Sequence, residues 1–333
     1  MPKGGESPRL GNVNVVEAVD LRRTYRITTG TLRRRSRDVE AVRGVSFSIR
    51  EGELFGLLGP NGAGKTTTIK MLNTLLIPTS GSAHVLGYDV VRDARRVRKQ
   101  IGYVFGGDRG LYERLSALDN LRYFAELYGV EPRRQRARIE ELLGLVGLDG
   151  REGERVEGYS RGMRQRLHIA RGLLHDPPVL FLDEPTIGVD PVGARELRAL
   201  IASLTQAGKT VLLTTHYMFE ADSLCDRIAV IAKGEIVAQG TPQQLKAGVA
   251  QSGVVEIEVF GIDEASLRRV EALPGVLTVV VEEQEQKQLL IVQTTPGAEL
   301  TNVILGELRT VSVGRVASRE PTLEDAYVQL VTA

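Results

Sequence analysis

The 333-residue chain has one cysteine, Cys225, so an intramolecular disulfide is excluded. Leu224 and Ile228 beside it suggest helix packing, and a lone thiol fits a reducing compartment. No apolar run approaches the roughly 20 residues needed to cross a bilayer. Met1-Pro2-Lys3-Gly4-Gly5 opens the chain without the apolar core of a signal peptide. Net charge is almost absent: 43 Lys and Arg oppose 42 Asp and Glu. That balance removes any global electrostatic argument for a nucleic-acid partner. Sequence repeats and low-complexity segments are also lacking. These absences predict an intracellular protein that meets a membrane only through a partner.

Glycine is present in one decisive place. Gly59-Pro60-Asn61-Gly62-Ala63-Gly64-Lys65-Thr66 follows the apolar run Leu54-Phe55-Gly56-Leu57-Leu58 and opens a helix-like segment, Thr67 to Leu76. Glycines let backbone N–H groups turn inward around an anion without Cβ clashes. A helix N-terminus adds partial positive charge at the same point. Lys65 can then reach the β- and γ-phosphates, and the Thr66 hydroxyl can ligate Mg²⁺. A nucleoside triphosphate with Mg²⁺ is the expected ligand, with residues 59 to 67 as the cradle, Thr67 included.

A second element complements the first. Val179-Leu180-Phe181-Leu182-Asp183-Glu184 is an apolar strand ending in two carboxylates. A phosphate-loop enzyme needs an acid at such a strand end to hold Mg²⁺ across from the loop hydroxyl, a task that suits Asp183. Glu184 is then free to orient or deprotonate the attacking water. His216 follows the buried strand Val211-Leu212-Leu213-Thr214-Thr215, at the sheet edge where open α/β folds bind ligands. It is assigned a γ-phosphate contact.

Around these elements, residues 1–12 read as a flexible tail. Val13 to Val19 alternates like an edge strand. Ile27 to Arg37, with Arg33, Arg34, Arg35 and Arg37, reads as a solvated loop or as a contact with lipid headgroups or a partner. Residues 115–147 are mainly helical in pattern. From Val179, buried strands alternate with the helix Val192 to Leu204, which indicates an α/β fold with a mostly parallel sheet. After Gly240-Thr241-Pro242 the order becomes β-α-β-β-α-β, suggesting a small ferredoxin-like α+β module. A last helix starts at Thr322, with Asp325 completing a capping box. The expected domains are 13–247 and 248–333, the second regulatory or accessory.

Three further segments carry a resemblance. Tyr159-Ser160-Arg161-Gly162-Met163 precedes the helix Arg164 to Leu174 and is a variant of a signature usually read Leu-Ser-Gly-Gly-Gln. Ile187-Gly188-Val189-Asp190 resembles a D-loop, and Thr215-His216 a switch histidine. With both phosphate-loop elements, in this order, residues 13 to 245 resemble an ATP-binding cassette (ABC) ATPase. That resemblance implies a P-loop NTPase with a mostly parallel sheet, an antiparallel β subdomain and a helical subdomain. It implies that Ser160, as a helix N-cap, grips with Gly162 the γ-phosphate held by another subunit, beside the D-loop residue Asp190. Two copies would close head to tail over two ATP molecules. Tyr25 stands where the family commonly stacks an aromatic on adenine, the other reading being a plain surface tyrosine.

Departures from the pattern are local. Ile101-Gly102-Tyr103-Val104-Phe105 should be followed by a glutamine that touches Mg²⁺ and water, but Gly106, Gly107 and Asp108 follow. Either Asp108 substitutes or the site works without that ligand. Modest basal ATPase activity is expected, raised by Gly106→Gln. Leu111-Tyr112-Glu113-Arg114-Leu115 corresponds to the groove that receives a helix of a membrane subunit, or belongs to the protein's own core.

The variant signature and Glu320-Pro321-Thr322-Leu323-Glu324-Asp325 resemble the bacterial export branch, particularly the drug-resistance and ABC-2-type ATPases. The implied function is to power efflux of a drug, lipid or polysaccharide through a separate permease, from the cytoplasmic face of the membrane. A soluble ABC protein acting on the ribosome or DNA is the rival reading. One cassette, one cysteine and no long heptad segment count against it. A non-hydrolysing regulatory subunit is disfavoured by Glu184 and His216.

Overall fold

A computed structural model describes residues 13–29, 35–106, 110–247, 253–284, 287–295 and 300–332. The tail 1–12, Arg33, Arg34, Gly107 and Asp108 lie outside the described residues. The chain divides after Gln239 into two compact units. The sequence pattern places the boundary near 247. The helix Pro242–Ala247 instead belongs with the second unit, where it packs against the C-terminal helix.

The first unit runs β1 (Asn14–Thr29), β2 (Arg35–Arg50), β3 (Leu54–Leu58), α1 (Lys65–Leu72), β4 (Ser80–Val85), β5 (Tyr88–Asp89), α2 (Ala94–Gln100) and β6 (Ile101–Val104). It continues through α3 (Ala117–Leu127), α4 (Pro132–Leu145), α5 (Arg161–Leu173), β7 (Val179–Asp183), α6 (Pro191–Gln206), β8 (Thr210–Thr215), α7 (Met218–Leu224), β9 (Arg227–Ala232) and β10 (Glu235–Gly240). One sheet has the order β10-β9-β3-β8-β7-β6, and β3 pairs in parallel with both β8 and β9. Every residue of β3, β7 and β8 is buried. A strand covered on both faces has no polar side to show, which is why these segments read as unbroken apolar runs.

A second sheet, antiparallel, has the order β2-β1-β4-β5. Its Val16, Leu21, Val45 and Ile49 join Phe55, Leu57 and Phe181 of the parallel sheet in one core. The Phe47 and Phe55 rings stack across the junction, 5.3 Å between centroids. β1 therefore lies between β2 and β4, not at an edge as its alternation suggested. Alternation reports that one face is buried, and says nothing about how many neighbours a strand has. The described parts of the Arg-rich segment, 27–29 and 35–37, differ from the expected loop: β1 and β2 continue there as a ribbon that pairs Ile27 with Arg37 and Thr29 with Arg35, while residues 30–34 lie outside the described residues. Backbone ladders hold such a ribbon together, so it needs no apolar side chains to mark it.

The second unit holds α8 (Pro242–Ala247), β11 (Gly253–Phe260), α9 (Glu264–Glu271), β12 (Val276–Gln284), β13 (Lys287–Thr294), α10 (Thr301–Glu307), β14 (Ser312–Arg319) and α11 (Leu323–Thr332). Its sheet order is β12-β13-β11-β14, all neighbours antiparallel. Val255, Ile257, Val259, Leu290 and Val292 pack with Val270, Ile304 and Leu308 of α9 and α10. Thr322 and Asp325 form a reciprocal cap at the start of α11: Thr322 N donates to Asp325 Oδ2 at 2.7 Å, and Asp325 N to Thr322 Oγ1 at 3.4 Å.

Candidate functional site

The loop between β3 and α1 has three glycines with three different reasons. A Cβ at Gly59 would meet the Ile231 carbonyl oxygen at 2.2 Å, so close packing excludes any side chain. Gly62 has open space but φ +81°, the left-handed region. Gly64 combines φ +108° with a Cβ contact of 2.7 Å to the Ala41 carbonyl. Gly64 is also the N-cap of α1 and supplies no side-chain cap, so the first amides of the helix are left for another acceptor. Pro60 and Asn61 are exposed, and Ala63 is buried, its N–H bonded to the Pro60 carbonyl at 3.2 Å.

Lys65 is only 4% exposed. Its ammonium donates to the carbonyls of Gly59 at 2.7 Å and Pro60 at 3.1 Å, and lies 3.1 Å from Glu184 Oε1. A buried ammonium is tolerable only with such partners. Thr66 Oγ1 donates to Asp183 Oδ1 at 3.2 Å, and Thr67, next along α1, is half-buried. The two strand-end carboxylates diverge. Asp183 turns to the hydroxyls of Thr66 and Thr214, while Glu184 turns to Lys65 and His216. His216 Nδ1 lies 3.3 Å from Glu184 Oε2 without the alignment of a hydrogen bond.

The backbone at Glu184 is unusual, with φ +50°. A branched carboxylate side chain in the left-handed region is strained, and its surroundings must impose it. They do: Glu184 N donates to both the carbonyl and the hydroxyl of Thr214, each at 3.1 Å. Thr214 was not among the sequence candidates. Its hydroxyl donates to the Asp183 carboxylate at 2.6 Å while accepting from the Glu184 backbone N–H, so one residue of β8 holds the Asp183 side chain and the Glu184 backbone together. The available signal was a hydroxyl residue at the carboxyl end of a buried strand, close to His216. Tyr103 of β6 is a second omission: burial, then the nearby Asp183 charge, push its hydroxyl strongly toward the protonated form.

Gly106 falls where the resemblance expects a glutamine, and a Cβ there would meet the Asp183 carbonyl at 2.6 Å and the Glu184 carbonyl at 2.9 Å. Gly106→Gln therefore cannot be accommodated without moving the end of β7, which argues against the expected gain of activity. The remaining candidates form another cluster. Ser160 caps α5, accepting from Met163 N at 3.2 Å, and Asp190 caps α6, accepting from Val192 N and Gly193 N. Gly162 lies against Val189, and Arg161 Nη1 reaches the Gly188 carbonyl at 3.4 Å. Two helix N-termini thus stand together, joined to Glu184 by one short loop. Tyr25 lies on the β1–β2 ribbon, with the Arg23 guanidinium 4.8 Å from its ring centroid.

This constellation has counterparts. Residues 42–187 match the ABC transporter family. The linearmycin resistance ATP-binding protein LnrL of Bacillus subtilis (strain 168) is 36% identical over 291 residues, spanning 87% of this chain and 93% of the relative. The chain belongs to the ABC transporter ATP-binding family. Another family member, the daunorubicin resistance ATP-binding protein DrrA3 of Streptomyces coeruleorubidus, is 40% identical over 91% of this chain and 95% of its own length. Among solved structures, the ATP-binding subunit of an ABC transporter superposes with a TM-score of 0.59 at 29% identity, covering 70% of this chain and 92% of the other. A dimeric ATP-binding cassette in a post-hydrolysis state, bound to ADP and Pi, gives 0.60 at 26% identity over 68% and 98%. Both cassette matches span less of this chain than the resistance relatives do.

Proposed function

We propose that this chain is the ATP-hydrolysing subunit of an ABC exporter, acting on a separate ABC-2-type permease at the cytoplasmic face of the membrane. The observation that carries the reading is the convergence of Lys65, Thr66, Asp183, Glu184 and His216 at the carboxyl ends of β3, β7 and β8. The loop amides and Lys65 bind the phosphates of ATP. Thr66 and Asp183 suit Mg²⁺, a hard ion that takes one or two protein oxygens and fills its remaining positions with phosphate and water. Among the described residues no cluster of three His, Cys, Asp or Glu could hold a metal by itself, which agrees with that shared mode of binding. When bound, Mg²⁺ would neutralise charge on the phosphates.

Glu184 takes the water proton, and His216 contacts the terminal phosphate from the neighbouring strand end. Gly106 leaves the lytic water without a glutamine, so basal turnover is modest. Ser160 and Gly162 complete the site of a second copy, with Asp190 beside them, and binding energy from ATP drives closure. Tyr25, on its ribbon, stacks on the adenine. No described helix is long and apolar enough to cross a membrane, and in this reading the separate permease carries the transport path. Exposed Tyr112 and Leu115 offer that subunit an apolar contact. The resistance functions named for LnrL and DrrA3, and the export named for Nod factor relatives from Burkholderia and Ralstonia, favour an amphiphilic drug, lipid or saccharide as cargo over the ribosome or DNA.

Glu184→Gln tests the scheme. It should bind Mg-ATP, lose at least about 100-fold in turnover, and run as a dimer on sizing under saturating nucleotide. A variant that stays monomeric, or that hydrolyses ATP like the wild type, refutes the assignment.

A further inference from the structure

The second unit's sheet has two faces, and only one is closed by α9 and α10. Strand alternation sends Leu290 and Val292 of β13 into that core and Leu289, Ile291 and Gln293 to the opposite face. There, under α11, lies a cavity of about 260 Å³. At roughly 30 Å³ per water it is roomy enough for an organic group. Val280, Leu289, Ile291 and Val328 give it apolar walls.

Its polar lining is one-sided. Four carboxylates, Glu256, Glu282, Glu324 and Asp325, face a single cation, Arg319. All three nitrogens of that guanidinium are engaged: Nε donates to Glu256 Oε1, Nη1 to Asp325 Oδ2 and the Glu320 carbonyl, and Nη2 to Asp325 Oδ1. Glu282 and Glu324 have no ion-pair partner among the described residues and are exposed at the rim. The floor carries the decisive observation. Gln293 is 3% exposed, and its Nε2 donates to the Asp325 carbonyl at 3.1 Å, which fixes the orientation of the amide. Its Oε1 is left buried with no donor. A buried acceptor without a protein donor is unfavourable, and it is open to a donor from outside the chain.

We propose that this cavity is a binding site for an amphiphilic organic cation, its ammonium held by Glu282, Glu324 and Gln293 Oε1 and its apolar part against the β12–β13 wall. The acceptors left without an ion-pair or hydrogen-bond partner among the described residues are the Glu282 and Glu324 carboxylates and Gln293 Oε1. An ammonium, with its charge and three N–H donors, suits them better than a hydroxyl with one donor or a carboxylate with none. A bare metal ion fits poorly, because no three His, Cys, Asp or Glu among the described residues are arranged to hold one. The site lies wholly within the second unit.

Calorimetric titration of the full chain with hexylammonium chloride tests this, with hexan-1-ol and hexanoate as neutral and anionic comparators. Saturable binding of hexylammonium is expected, with both comparators weaker by at least about tenfold. Glu282→Gln with Glu324→Gln should weaken hexylammonium by at least about tenfold without changing the melting curve, since both residues are exposed. Gln293→Leu is the second variant, and it too should lose affinity. Equal binding of hexan-1-ol, undiminished binding to the rim double variant, or no hexylammonium binding at millimolar concentration overturns the proposal.

Discussion

The parallel sheet carries a buried ion pair at each end, and the two pairs are built differently. At the amino end of β3, Glu53 is fully buried and meets Arg227 Nη1 at 3.1 Å. Glu53 also accepts from Arg50 N at 2.7 Å, and the guanidinium lies 5.5 Å from the Phe55 ring centroid. At the carboxyl end, Lys65 and Glu184 are also 3.1 Å apart. Here the carboxylate sits on a left-handed backbone, and its other neighbour, His216, makes no aligned hydrogen bond. Equal separations therefore serve unequal ends. The first pair is tied into backbone and ring and braces the fold, whereas the second is held under strain and has contacts it can exchange for phosphate or water.

Four variants probe that contrast. The largest effect is expected from Arg227→Met, which strands a buried carboxylate and should remove about 3–5 kcal/mol of stability. Urea unfolding measures it, and ATP affinity of the folded protein should stay unchanged. Lys65→Ala should do the reverse: at least about 100-fold weaker Mg-ATP binding, read by nucleotide titration, with a smaller stability loss than Arg227→Met. If Lys65→Ala destabilises more than it weakens ATP, the contrast between the two ends is broken. Gly106→Ala comes next. Its Cβ presses on the Asp183 and Glu184 carbonyls, so turnover should drop by about tenfold, because displacement of reacting groups is costly to rate.

The last variant sharpens the comparison with a buried ionisable group that has no hydrogen-bond partner among the described residues. His168 of α5 is fully buried, and neither ring nitrogen has a hydrogen-bond partner. Burial, then the nearby Arg171 charge, push its pKa from 6.5 down to about 3. The folded state therefore keeps the ring neutral while the unfolded chain takes up a proton. Its contribution is fully present above pH 6.5 and is lost as pH falls from there toward 3. The slope is about 1.4 kcal/mol per pH unit. His168→Leu should flatten the decline of the urea midpoint between neutral and mildly acid pH, and an unchanged slope would contradict this account.

Legibility from sequence varied with the range of the interaction. The strand Thr210–Thr215 is found with the bounds its apolar run suggests, and Ser160 caps α5 as its position before the helix implied. The Arg-rich ribbon was not legible, because strand pairing there is carried by backbone. Thr214 and Tyr103 were not legible either. Each matters through a residue on the neighbouring strand, and sequence does not display register between strands.

The sequence by itself determined which chemistry this chain contains. Phosphate cradling, strand-end carboxylates and helix caps depend on neighbours a few residues apart, and those spacings are written along the chain. Only the tertiary structure decided how these groups meet. It set Lys65 against Glu184, tied the Asp183 carboxylate and the Glu184 backbone to one threonine, closed position 106 to any side chain and left Gln293 facing an acidic hollow. The physical reason is that each of these contacts joins strands or loops far apart in sequence, and their approach is fixed by packing of the whole sheet.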